Sequence, residues 1–204
     1  NKIKLKYIVL CENLFISEIK TGGIPDNKNR TLILDINFNQ KYFERMIHHE
    51  VFHMIQGSHI EHFDEVKFSS FNHISFNYAK CSTCSDRLNL DLYENTDGFL
   101  TEYSKSVPSE DMAEIFSFLM TDNGTIQEKI NNDKVLNKLI KESKKSFTIN
   151  YASIFSLDKH PTNKDGKVAR INPYHEKAQS DFPSIVSVFM DPFLRSISEE
   201  YFFP

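Results

Sequence analysis

The pattern His49-Glu50-x-x-His53 constrains the fold of this chain more than any other feature, because it requires a helix at residues 49–53. On an α-helix, residues four positions apart lie on one face, so both imidazoles can point at one metal ion. Glu50 reaches the edge of the same face, where its carboxylate can take a proton from a metal-bound water. The pattern is typical of a zinc hydrolase, although three fixed residues also occur by chance in a chain with eight histidines.

The residues around this pattern indicate a helix that follows a short strand. Apolar side chains at residues 43–55 recur at close to helical spacing, and Gly57 is predicted to end the helix. Upstream, residues 31–36 are typical of a strand, and the turn-rich residues 22–27 precede it. Zinc peptidases hold an extended substrate with such an arrangement, in which the strand edge pairs with the peptide backbone.

A catalytic zinc ion takes three protein ligands, and the sequence offers two candidates for the third. Glu110 lies in the acidic first turn of a predicted helix, with Ser109 as the expected N-cap and Glu114 one turn further on. One of these two carboxylates can bind the metal while the other supports a ligand histidine. His59 is the alternative, at the spacing of a three-histidine site, but that site wants glycine where this chain has Gln56. We favour Glu110 over His59.

Two downstream segments resemble a known family. Residues 97–103 (DGFLTEY) and 109–114 (SEDMAE) resemble the downstream motif of the putative zinc-binding metallopeptidases, which belong to the gluzincin group. Residues 71–78 resemble, more loosely, the segment between the two halves of the metal site in that family. The interval of seven residues from Tyr103 to Glu110 makes the chain distantly similar to the anthrax lethal factor catalytic domain and to Pro-Pro endopeptidases.

The resemblance covers about residues 22–120 and implies a catalytic site with one Zn²⁺ per chain. It implies Glu50 as the general base for a zinc-bound water that attacks a peptide bond, and Tyr103 as a donor to the developing oxyanion. Glu114 would support a ligand histidine from outside the coordination sphere. The implied zinc ligands are His49, His53 and Glu110.

The pattern of elements predicts an α+β fold in a single domain of residues 1–204, and the resemblance implies that this fold is zincin-like. A small twisted sheet and the active-site helix form an N-terminal lobe of about residues 1–57. A mainly helical C-terminal lobe covers about residues 58–204. Within it we expect an irregular stretch at residues 158–172 and a closing helix at residues 181–203.

Composition limits the classes of partner. No apolar run in the 204 residues approaches the roughly 20 residues of a membrane span. A net charge of −4 with dispersed lysines argues against a nucleic-acid surface. We expect a monomer that acts on a peptide or protein substrate. Members of the resembling family are often exported, which implies an extracytoplasmic location, secreted or at the cell surface as a lipoprotein.

Two other functions remain open on the sequence. One is a zinc-binding or partner-binding module without turnover, although such a scaffold needs neither Glu50 nor Tyr103. The other is a different metal hydrolase, whose ligands would be His49, His53 and His59.

Cys81 and Cys84 form a C-x-x-C pair, which is half of a structural zinc site, and the chain has no second such pair. The sequence leaves a disulfide, either Cys81–Cys84 or one that includes Cys11, and free thiols equally open.

Overall fold

The computed structural model describes residues 5–16, 18–84 and 86–143. All of them belong to one compact unit. The predictions for residues 158–172 and 181–203 lie outside the described residues. The division into lobes at residue 57 therefore stays a prediction.

The first part of the chain forms a three-stranded sheet and a separate two-stranded hairpin. The strands are β1 (Tyr7–Cys11), β2 (Phe15–Ile16), β3 (Ile19–Lys20), β4 (Gly23–Asp26) and β5 (Thr31–Asp35). β5 lies at the centre of the sheet, parallel to β1 and antiparallel to β4, while β2 and β3 form the hairpin. β5 confirms the strand predicted for residues 31–36, and the side chains of its Leu32 and Leu34 are fully buried.

Five helices follow within the described residues. They are α1 (Gln40–Ser58), α2 (Glu65–Ser69), α3 (Pro108–Thr121), α4 (Asn123–Asn132) and α5 (residues 134–143), with 3-10 turns at Ile60–His62 and Tyr103–Lys105. The mixed α+β class is confirmed. The mainly helical C-terminal half stays a prediction, because the described chain ends at residue 143.

α1 forms where the apolar spacing predicts it, but its end differs from the prediction. It begins after Asn39, whose side-chain oxygen accepts the backbone N–H of Lys41 at 3.0 Å. It runs through Gly57 to Ser58, so Gly57 as the helix terminator is wrong. Gly57 packs closely on the side-chain amide of Asn27, which would have to move to admit a Cβ there.

The apolar core lies between α1 and the helices that follow it. Phe52 of α1 packs against Phe116 of α3 and Phe63, with ring centroids 5.5 and 5.3 Å apart. Burial of an aromatic or aliphatic side chain of this size stabilises the fold by about 1.5–3 kcal/mol. Phe52 and Ile55 hold one face of α1 in the core. The adjacent face of the helix is therefore directed away from this core.

The described residues between 70 and 102 form turns rather than helix or strand. Cys81 and Cys84 are joined by a disulfide, with Cα atoms 5.4 Å apart, which settles the alternative that the sequence left open. Gly98 adopts a left-handed φ of 88°, a region that favours glycine, and its N–H donates to Asp133 at 2.6 Å. That bond ties the segment to the start of α5.

No helix among the described residues combines the length and the apolar character that a membrane crossing requires.

Candidate active site

One face of α1 presents His49, Glu50 and His53 to a cleft. The Nε2 atoms of His49 and His53 lie 3.1 Å apart, and the two rings meet edge to face with centroids 4.9 Å apart. The helical arrangement that the sequence predicted for this pattern is confirmed. Both imidazoles direct the same nitrogen at the same point, as two ligands of one ion must.

α3 carries the acidic residues to the same point. Its N-cap is Val107 and its first residue is Pro108, so Ser109 as the N-cap is wrong. Proline suits the first helical position, because its fixed φ fits the helix and its missing N–H has no partner there in any case. Glu110 and Glu114 lie one turn apart and both reach His49.

Glu110 completes a group of three donors. Its Oε2 lies 2.8 Å from Nε2 of His49 and 3.0 Å from Nε2 of His53. Among the described residues, these three form the metal-type group, with ligand atoms within 4.8 Å of one another. A tetrahedral zinc ion with bonds of about 2.0–2.1 Å separates its ligand atoms by about 3.3 Å. Two imidazole nitrogens and one carboxylate are also a ligand set of catalytic zinc, so the residues present fit the ion.

Glu114 occupies the other nitrogen of His49. Its Oε1 lies 3.0 Å from Nδ1 of that ring, while its Oε2 accepts the hydroxyl of Thr101 at 2.9 Å. Arg45 adds a guanidinium 3.7 Å from Oε2. The contact between Glu114 and Nδ1 orients the His49 ring so that its Nε2 faces the cleft.

Sequence reasoning missed two members of this group, Thr101 and Arg45. Thr101 lies within the segment 97–103 that carries the family resemblance, but a threonine there gives no sign of a contact with Glu114. Arg45 precedes His49 by four residues, so the i, i+4 rule places it on the metal-binding face of α1. That spacing is the signal that could have found it.

His59 lies apart from the group. It caps the end of α1, is 6 % exposed, and its Nδ1 lies 3.3 Å from the carbonyl of Ile55 in its own helix. Gln56, at the position where a three-histidine site wants glycine, donates instead to Glu65 at 3.1 Å. The geometry of the described residues gives no support to the three-histidine alternative.

Tyr103 lies in a 3-10 turn beside the group of three donors. Its ring centroid is 5.8 Å from that of His49, and its side chain lines the same cavity. Burial, together with the negative charges of Glu110 and Glu50, raises the pKa of the Tyr103 phenol. The phenol therefore keeps its proton and can donate a hydrogen bond into the cleft.

The charges and hydrogen bonds within the group shift the pKa values of Glu110 and His49. Burial opposes ionisation of Glu110, but the hydrogen bonds and charges of His53 and His49 outweigh it and lower the pKa of the carboxyl. Burial likewise disfavours charge on His49, yet Glu110 and Glu114 raise its pKa to about 10. Two carboxylates thus stabilise positive charge at the point where the three donors meet.

The cleft has a volume of about 600 Å³, and the free edge of β4 forms one of its walls. The carbonyl of Gly22 accepts from Asp35 at 2.8 Å, so in an antiparallel ladder Gly23 and Pro25 direct their backbone groups away from β5. Gly23 packs directly on Glu50, since a Cβ there would lie 3.0 Å from Cδ of the carboxylate. The Gly23 carbonyl accepts the hydroxyl of Thr21 at 3.2 Å and Pro25 has no N–H, so the wall offers the N–H of Gly23 and the carbonyl of Pro25 beside the proposed base.

A protein-family model described as "Putative zinc-binding metallo-peptidase" matches residues 25–158, more than half of the 204-residue chain. The match includes both segments that supply the three metal-type donors. No curated protein and no solved structure matches the chain. The resemblance that the sequence showed is therefore confirmed, and the chain belongs to the family of putative zinc-binding metallopeptidases.

Proposed function

We propose that this protein is a zinc-dependent peptidase of the gluzincin type, which hydrolyses peptide bonds with Glu50 as the general base. The strongest support is the convergence of one ligand atom each from His49, His53 and Glu110 at a cleft that Glu50 also lines. Membership of a zinc-binding peptidase family supports the same reaction.

The proposed ligands of one Zn²⁺ per chain are Nε2 of His49, Nε2 of His53 and the carboxylate of Glu110. When bound, zinc supplies a Lewis acid that polarises a carbonyl and lowers the pKa of its water to about 7. Glu114 holds Nδ1 of His49 and so presents Nε2 as the metal-binding nitrogen.

Glu50 accepts a proton from the attacking water at its carboxylate and passes it to the leaving amine. Its side chain is 8 % exposed and packs against the backbone of Gly23, so the carboxylate has little freedom to turn away. General acid–base catalysis by a positioned side chain contributes about 100- to 10,000-fold in rate.

Tyr103 donates its phenolic hydrogen to the oxygen that becomes negative as the water attacks. Its protonated state and its place in the lining of the cleft, beside His49, suit this role. Such a donor is already oriented when charge develops, so it lowers the barrier without costly reorganisation.

The substrate is a peptide or protein segment in extended form. Gly23 and Pro25 line the cleft, and the Gly23 N–H and the Pro25 carbonyl point away from β5, so an extended chain can pair with these two groups along β4. The substrate strand then passes over Glu50, and β4 binds its backbone whatever its side chains are.

Matched glutamate variants test the proposal. Glu50→Gln should keep one zinc per chain by plasma mass spectrometry and lose cleavage of a peptide library by about 100-fold or more. Glu110→Ala should lose the zinc. Glu44→Gln is the control, because Glu44 is exposed on the same helix and lies outside the lining of the cleft.

Three outcomes are informative against the proposal. Full activity in Glu50→Gln refutes the assigned base, and zinc retained at full occupancy in Glu110→Ala refutes the assigned ligand. Zinc bound by the wild-type chain without cleavage of any peptide identifies a zinc-binding module without turnover.

We also propose an extracytoplasmic location for this protein, which the Cys81–Cys84 disulfide supports because disulfides persist in oxidising compartments. Alkylation of the protein in intact source cells, before and after reduction, tests it. Mass spectrometry should find both thiols protected until reductant is added. Two freely alkylated thiols would contradict the proposal.

A further inference from the structure

Residues 71–78 share the looser part of the family resemblance, yet none of them lines the cleft. They follow α2 and form turns. Any part that this segment plays in the reaction must therefore be exerted through other residues.

The side chain of Tyr78 connects this segment to the start of α3. Its hydroxyl lies 2.7 Å from Oδ2 of Asp111 and 2.7 Å from Nδ2 of Asn72. An amide nitrogen can only donate, so the phenol oxygen accepts from Asn72 and its proton is directed at Asp111. Burial raises the pKa of the Tyr78 phenol, which therefore keeps this proton.

Aromatic packing holds the Tyr78 hydroxyl in place. The ring of Tyr78 meets the rings of Phe76 and Phe99 edge to face, with centroids 4.9 and 6.2 Å apart. Phe99 is itself buried. The phenol thus reaches Asp111 from a ring that has little freedom to move.

Asp111 follows Glu110 directly and is fully buried. With 3.6 residues per turn, the two side chains leave α3 about 100° apart, so Glu110 lines the cleft while Asp111 points into the protein. A buried carboxyl group needs hydrogen-bond donors, and the hydroxyls of Tyr78 and Ser104 supply them. These bonds fix the rotation of the first turn of α3 about its own axis.

Rotation of α3 acts directly on the carboxylate of Glu110. Side-chain ends lie about 5–6 Å from a helix axis, so a turn of about 10° moves them by roughly 1 Å. Metal–ligand distances in zinc sites stay within about 0.2 Å of their usual values. Oε2 of Glu110 lies 2.8 Å from Nε2 of His49 and 3.0 Å from Nε2 of His53, and such a turn would disturb both distances.

The apolar contacts of α3 do not fix this rotation as closely. Ile115 and Phe116 are buried further along the helix, and apolar burial has no preferred direction. The hydrogen bond from Tyr78 is directional and acts in the same turn as Glu110.

We propose that Tyr78 is a positioning residue for the metal site, whose hydroxyl holds Asp111 and thereby directs Glu110 at His49 and His53. Tyr78 touches neither the substrate cleft nor a proposed ligand. This role rests on the proposed function, in which Glu110 binds zinc, and it gives residues 71–78 a part in the reaction.

Tyr78→Phe tests the role, because it removes the hydroxyl and leaves the ring. Thr96→Val is the matched control, since Thr96 also donates a hydroxyl to a carboxylate, that of Asp133 at 2.5 Å, and lies outside the cleft lining. Both variants should stay folded by circular dichroism at the temperature of the titration.

The readout is the zinc affinity of the full chain at pH 7, measured by competition with a chromophoric chelator. Tyr78→Phe should bind zinc about 10-fold more weakly than the wild-type chain, because residues that orient metal ligands contribute about this much. Thr96→Val should bind zinc as the wild-type chain does.

A double-mutant cycle with Asp111→Leu tests the route of the effect. Leucine removes the acceptor, so Tyr78→Phe should cause no further loss of zinc affinity when residue 111 is leucine. A second 10-fold loss in that background would show that Tyr78 acts on the site by another route, and would overturn the proposal.

The single variants decide the proposal even where Asp111→Leu fails to fold. Wild-type zinc affinity in Tyr78→Phe would overturn it. An equal loss of affinity in Thr96→Val would overturn it too, because the loss would then follow from general loosening of the fold.

Failure of the zinc site itself is read from different samples. No zinc bound by the wild-type chain, or zinc retained at full occupancy in Glu110→Ala, overturns the assigned site and the role of Tyr78 with it. Zinc bound through Glu110 at unchanged affinity in Tyr78→Phe overturns the role of Tyr78 alone.

Discussion

Gly23→Ala probes how closely the rate of peptide hydrolysis depends on the position of Glu50. The new Cβ would lie 3.0 Å from Cδ of Glu50, closer still to Cγ, and 3.1 Å from Sδ of Met46, whereas ordinary contact begins at 3.4 Å. Gly23 lies opposite Leu34 of the central strand β5, and this pairing limits how far its backbone can move away from α1. The carboxylate of Glu50 must instead move, by roughly 1 Å.

A misplacement of about 1 Å in a reacting group can cost about 100-fold in rate. We therefore expect kcat of Gly23→Ala on a fluorogenic peptide to fall by about 100-fold. Zinc content should stay at one per chain, since the three atoms nearest to the new methyl group belong to Glu50 and Met46 and not to a proposed zinc ligand.

Gly124→Ala is the matched control, because no atom lies within 4 Å of a Cβ at that glycine. Its kcat should equal that of the wild-type chain. If Gly23→Ala turns over at the wild-type rate with full zinc, the position of Glu50 does not govern catalysis. If it loses zinc instead, Gly23 acts on the metal ligands and the reasoning is equally refuted.

Three further substitutions have defined outcomes. Tyr103→Phe should lower kcat by about 100- to 1000-fold with little change in KM, and an unchanged kcat would remove Tyr103 from the mechanism. Glu114→Gln should weaken zinc binding by about 10- to 100-fold in a chelator competition, because the orienting contact with His49 is altered; unchanged affinity would contradict that role. Asp133→Ala should lower the free energy of unfolding in urea by about 1–2 kcal/mol at pH 7, because the carboxylate accepts backbone N–H groups at the start of α5. Partial burial raises the pKa of Asp133, but hydrogen bonds from Thr96 and the backbone outweigh it and lower the pKa below 3.8. Its stabilisation is thus present above that pH and lost as pH falls through the folded pKa, so the wild-type and variant curves should converge in acid. A gap that persists undiminished in acid would contradict the assignment.

Local pattern was enough to predict the elements that carry the site. The helix around residues 49–53 follows from apolar spacing and from the shared face of His49 and His53. The strand β5 follows from its run of branched apolar residues. Glu110 was predicted because Glu110 and Glu114, one turn apart at the acidic start of a helix, lie on the same face.

Features set by long-range contacts could not be predicted from sequence. Gly57 resembles a helix terminator, but it lies inside α1 and packs on the side chain of Asn27, thirty residues earlier in the chain. Gly23 resembles part of a turn, and only the folded sheet places it against Glu50. Ser109 has the chemistry of an N-cap, yet Pro108 already fits the first helical position.

Anomalous diffraction at the zinc edge, on a crystal of the protein as purified, tests whether His49, His53 and Glu110 bind zinc. We expect one peak per chain within bonding distance of Nε2 of His49, Nε2 of His53 and the carboxylate of Glu110. A peak bonded to His59 in place of Glu110 would contradict the assigned ligands. No peak after soaking in zinc would contradict the zinc site itself.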